Sequence, residues 1–178
     1  MTVSWPTVCA TGHRPQHLDP SAIHWVREKL TAGAVWLRDE RGTKVGITGM
    51  ALGVDTWWAH AVLAAGLELR AYIPFETQPD RWPTPERAEW ARLRELATVV
   101  KVVGANPRDR REAVRLLHGR NDAMLAASDA VVGVLLAGKV DGGTASAVRK
   151  ADRLGLPGVH LEPTGRRVRI VASGEWLR

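Results

Sequence analysis

Residues 44–66 read KVGITGMALGVDTWWAHAVLAAG, and this stretch decides the fold. Lys44–Thr48 is a short β-branched apolar run, the pattern of a buried strand. It runs straight into the glycine-bearing turn Gly49-Met50-Ala51-Leu52-Gly53. From Val54 the spacing turns helical through Ala65, where Gly66 ends it. A strand, a glycine turn and a helix in immediate succession form the repeating unit of an α/β protein with a parallel sheet.

The same alternation extends in both directions. Upstream, Thr7–Ala10 reads as the first strand, followed by the loop Thr11-Gly12-His13-Arg14-Pro15 and a helix over Pro20–Leu37 with Ile23, Val26, Leu30 and Ala34 on one face. Asp19 is its expected N-cap and Pro20 its first residue. Downstream, Glu68–Ile73 is a third strand, Pro85–Leu96 an amphipathic helix, and Thr98–Val103 a fourth strand. Arg108–Ala127 reads as one helix or two, since Gly119 interrupts it. Asp129–Ala137 is the most apolar strand, as a central one should be. The turn Gly138–Thr144 opens a helix to about Leu154, Gly158–Leu161 returns as the sixth strand, and Val168–Val171 adds an edge strand. The expected fold is an α/β Rossmann-like three-layer sandwich with a mainly parallel central sheet.

Bulk properties bound the function. The 178 residues fit one domain over 1–178, with a core over about 5–163 and a basic edge segment over 164–178. Hydrophobic residues at 45% and charged residues at 25% are ordinary for a globular chain. No run approaches the roughly 20 apolar residues of a membrane span, and Met1–Pro6 lacks signal-peptide character, which implies the cytoplasm and no membrane partner. The single cysteine, Cys9, allows neither a disulfide nor a cysteine metal site, and is expected to be a buried thiol. No metal is expected. A net charge of +6 favours anionic partners without choosing among nucleotides, nucleic acid and acidic proteins.

Chemistry in such a sheet collects beyond the carboxyl ends of the strands. Four clusters fall there: Gly12-His13-Arg14, the turn from Gly49 to Gly53 with Met50 and Ala51, Phe75-Glu76, and Asp141-Gly142-Gly143-Thr144. Glycine turns at helix starts let backbone amides approach phosphate, although neither turn matches GxGxxG or GxxxxGKS/T and each also reads as a simple cap. Arg14 offers a fork for phosphate, with His13 a donor beside it. Asp55 is assigned to ribose hydroxyls or loop amides, and capping serves as well. Glu76 suits a sugar hydroxyl, a base or a nucleophile. Arg120 and Asn121 reach the crevice or cap a broken helix. Trp58 or Trp57 belongs to the core, whereas Trp82 stacks on a base or fills a subunit contact.

Thr11-Gly12-His13-Arg14, Gly49-Met50-Ala51-Leu52-Gly53-Val54-Asp55, Pro74-Phe75-Glu76-Thr77-Gln78 with Trp82, Arg120-Asn121 with Asp129, and Gly142-Gly143-Thr144 together resemble the YpsA-like branch of the SLOG superfamily. The resemblance covers the chain to about Pro163. It implies a nucleotide-type ligand, such as a nucleotide, ADP-ribose or NAD, with no certain cofactor and pairing as a homodimer. Residues 48–65 also resemble DprA, which suggests single-stranded DNA as an alternative partner, disfavoured by the absence of a basic and aromatic stripe. The lonely-guy phosphoribohydrolases are a third relative. Their PGGxGTxxE pattern, aligned on Gly143-Thr144, meets Val140, Asp141 and Ala147 here, so a glycosidic-bond hydrolase would need Glu76 as its catalytic residue.

Overall fold

The structure is a computed structural model that describes residues 3–176; Met1, Thr2, Leu177 and Arg178 lie outside the described residues. Seven strands form one sheet: β1 (Thr7–Gly12), β2 (Val45–Thr48), β3 (Glu68–Ile73), β4 (Val99–Val102), β5 (Ala130–Val134), β6 (Gly158–Glu162) and β7 (Arg167–Val171). Their spatial order is β4-β3-β2-β1-β5-β6-β7, with every neighbouring pair parallel except β6 and β7, which are antiparallel. Among the described residues five α-helices connect them: α1 (Pro20–Arg41), α2 (Val54–Ala64), α3 (Thr84–Leu96), α4 (Arg110–Ala126) and α5 (Gly142–Arg153).

Right-handed crossovers place the helices. The chain steps from β1 to β4 in one direction, so α1, α2 and α3 cover one face. It then returns across the sheet to β5 and β6, so α4 and α5 cover the other. The strand order therefore reverses between β1 and β5, opening a crevice at their carboxyl ends. The fold is an α/β, Rossmann-like three-layer sandwich.

Local sequence explains the elements. Asp19 accepts from the Ser21 amide at 2.8 Å and caps α1, and Gly42 ends that helix in the left-handed region at φ 65°. The buried stripe of α1 is Ala22, Val26, Leu30, Ala34 and Leu37. Ile23, expected on that stripe, is only half-buried because the face is rotated by one residue. β1 and β5 alternate core contacts to both helical layers, with every β5 residue buried. Trp58 is fully buried on α2 while Trp57 is half-exposed. Each fully buried Leu, Ile or Val here contributes about 1.5–3 kcal/mol relative to exposure.

One expectation is corrected, and one left open by the sequence is decided. β5 ends at Val134 rather than Ala137, since Leu136 to Lys139 already form a turn. Helix α4 is one helix, because a side chain at Gly119 would meet only Val103 at an ordinary 3.6 Å and the helix passes Gly119 without a break. Among the described residues no helix is long and apolar enough to cross a membrane, and no group of three or more His, Cys, Asp or Glu side chains could hold a metal ion. Cys9 is buried, and burial pushes its thiol up to about 12.

Candidate functional site

A cavity of about 420 Å³ opens at the strand-order reversal. Its walls come from four segments: the end of β1 with the loop after it (Thr11, Gly12, His13, Arg14 and His17), the turn after β2 with the start of α2 (Ala51, Leu52 and Asp55), helix α4, and the loop leading into α5 with that helix's first turn. The α4 wall carries Val114, Leu117, His118, Arg120 and Asn121; the α5 side carries Lys139, Asp141, Gly142, Gly143 and Thr144.

His13 holds three loops together. It is 7% exposed, and its Nε2 accepts from the Leu136 amide at 3.3 Å, so the neutral ring carries its proton on Nδ1. Its backbone carbonyl accepts from the Val54 amide at 3.4 Å. Burial holds the imidazole below the ordinary histidine range, with the nearby His17 and Lys139 acting in the same direction. Arg14 is exposed beside it.

The turn after β2 is already full. The Met50 amide donates to Thr48 Oγ1 at 3.1 Å, and the Ala51 amide to Asp55 Oδ2 at 3.3 Å. Asp55 Oδ2 also takes Nη1 of Arg120 at 2.9 Å. Both partners are buried, at 6% exposure each, and Arg120 Nε has no hydrogen-bond partner among the described residues. Burial pushes the Asp55 carboxyl up from its ordinary value, opposed by the Arg120 guanidinium and the Ala51 amide. The pair passes so close beneath Gly49 that a Cβ there would lie 1.5 Å from Arg120 Nη1. Gly53 is needed for a second reason: its φ is 93°, and a Cβ would press on His13 O at 2.7 Å. Of the two assignments for Asp55, the structure shows the loop amide contact; of those for Arg120, it shows a side chain at the crevice. Met50 is wholly buried in the core at φ 58°, away from the cavity.

The turn before α5 differs. Asp141 occupies the N-cap position but makes no capping bond; its carboxylate pairs instead with Lys139 Nζ at 2.8 Å. The Lys139 ammonium accordingly holds Asp141 below the ordinary carboxylate range. Open space surrounds Gly142 and Gly143 where side chains would be.

The cavity thus gathers Gly12, His13, Arg14, Ala51, Asp55, Arg120, Asn121, Asp141, Gly142, Gly143 and Thr144 from the sequence-derived residues. It does not include Phe75, Glu76 or Trp82, and Gly49 and Gly53 lie behind its wall. Glu76 is 47% exposed at its side chain and pairs with Arg94 at 2.8 Å. Trp82 is half-buried against the core. Reading motifs alone missed His17, Leu52, Val114, Leu117, His118 and Lys139. The α4 members had a usable signal, since 114, 117, 118 and 121 share one helical face leading to Asn121.

No protein-family model and no curated protein sequence matches the chain. Solved structures do match in fold. DNA processing protein A from Helicobacter pylori, described as binding single-stranded DNA, superposes with a TM-score of 0.60 at 18% identity over 90% of this chain and 71% of its own. The chain has their fold. TM1055, a structural genomics target, gives 0.53 at 19% identity over 85% and 71%, and the molybdenum cofactor carrier protein of Chlamydomonas reinhardtii 0.53 at 15% over 87% and 75%. DprA, expected from residues 48–65, is therefore among the structural relatives of this Rossmann-like chain.

Proposed function

We propose that the chain is a self-pairing binding protein of the YpsA-like kind that holds a nucleotide, or a related phosphate-bearing small molecule, in the cavity between β1 and β5. The observation that carries this reading is the first turn of α5. Gly142, Gly143 and Thr144 of that turn line the cavity, no side chain caps it, and two cations line the same cavity, Arg14 and the Lys139 that pairs with Asp141. A helix N-terminus with free amides favours a phosphate, and two cations add to that preference. The volume suits a small ligand enclosed on several sides. One structural relative is a carrier of a small cofactor, which agrees with such a role.

Hydrolysis of a glycosidic bond is the weaker reading. Glu76 lies outside the cavity, and the carboxylates that line it, Asp55 and Asp141, are each held by a cation. Single-stranded DNA, the ligand named for DprA, is weaker too, because among the described residues no Phe, Tyr or Trp side chain on which a base could stack lines the cavity beside its basic groups.

Calorimetry with AMP, ADP, ADP-ribose and NAD tests the reading. Binding that is lost in Gly143→Asp, which sets a carboxylate on the α5 turn, supports it. Failure of every nucleotide to bind below millimolar concentration, or unchanged binding in Gly143→Asp, removes it. Sedimentation of the same samples reads the pairing.

A further inference from the structure

We infer that the ring system of the ligand lies against helix α4, with Asn121 reading the ring edge, and that the tryptophan loop takes no part. This rests on the proposed phosphate site at α5 and adds what the rest of the ligand must be: a flat heteroaromatic base.

Three observations converge. Val114, Leu117 and Asn121 recur at i, i+3 and i+7 and form one stripe of α4 along the cavity. Seven residues of helix extend about 10 Å, enough for a ring and the sugar attached to it. Val114 is 44% exposed, an apolar side chain left open to solvent on the α4 wall of the cavity. Leu117 and, from the turn after β2, Leu52 extend the apolar surface. A flat ring recovers that surface, whereas a bare sugar phosphate does not.

Asn121 supplies the direction of reading. The residue is half-buried, and its carboxamide has no hydrogen-bond partner among the described residues. The neighbours on either side in sequence are committed, Arg120 to Asp55 and Asp122 to Lys150 at 2.6 Å. A carboxamide offers an NH2 group with two N–H donors beside a carbonyl oxygen with two lone pairs, all in one plane, which complements a base edge carrying an acceptor beside a donor. By contrast Trp82 packs on the core and Phe75 lies outside the cavity.

The test compares AMP, ribose 5-phosphate and inorganic phosphate by calorimetry on the full chain. The native chain should bind AMP more tightly than ribose 5-phosphate, and Asn121→Ala should weaken AMP by about five- to 150-fold, leaving ribose 5-phosphate unchanged. Val114→Asp changes an exposed position and should act the same way should Asn121→Ala fail to fold. Equal affinity of the native chain for AMP and ribose 5-phosphate overturns the inference while leaving the phosphate site standing. Absence of binding by all three overturns both. Selective loss of AMP binding in Trp82→Ala returns the base to the tryptophan loop and also overturns it.

Discussion

Nη1 of Arg120 and Oδ2 of Asp55 meet at 2.9 Å beneath Gly49, joining α4 to the first turn of α2 across 65 residues of chain. Both charges have left water, so each depends on the other. Arg120→Met or Asp55→Leu alone should cost about 3–5 kcal/mol, and the double variant should recover most of that loss. Urea unfolding midpoints read it. Additive losses in the double variant would show that the two residues act separately.

Acid should weaken the chain through His13. Burial holds its folded pKa below the ordinary 6.5, so the unfolded chain takes up the proton first as pH falls. The stability contributed by the neutral ring is complete above 6.5 and is lost as pH drops from there toward the folded value. Protonation also removes the acceptor for the Leu136 amide. Thermal midpoints of the native chain across that window should fall more steeply than those of His13→Gln; parallel profiles would exclude His13 as the source.

Cys9 should resist thiol reagents in the folded chain at mildly alkaline pH, since burial places its pKa near 12 and denies access. Modification should track unfolding by denaturant. Rapid labelling without denaturant would contradict the buried position.

Glu76→Gln should change little. Its pair with Arg94 is substantially exposed, and such pairs contribute about 0–1 kcal/mol. Nucleotide binding should match the native chain in calorimetry. A loss of binding, or of any base release seen by chromatography, would return Glu76 to the ligand site.

Much of the fold was legible because its signals are local. The β-branched runs, the Asp19 cap and the Gly66 stop act within a few residues, and strand β3 begins and ends as its sequence indicates, whereas α1 runs past the expected end at Leu37 to Arg41, where Gly42 stops it. The site was legible only in part. Glycine turns mark where a helix starts, but whether their amides are free depends on distant side chains. Nothing near Gly49 announces Arg120, and although Lys139 stands two residues before Asp141, the local sequence does not say whether that carboxylate caps α5 or pairs with the lysine. Glu76 and Trp82 looked chemical because they sit at a strand end among prolines. Their side chains turn to Arg94 and to the core, choices made by tertiary packing rather than by local pattern.

The Asp55 carboxylate is an anion the protein supplies to itself. Cutting it back in Asp55→Gly would leave the Arg120 guanidinium stranded in a hollow the size of the missing group, an arrangement ready for chemical rescue. Formate or acetate in the buffer should raise the melting temperature of that variant and leave the native chain unmoved, so that a turn which resembles a receptor becomes one when its resident is removed.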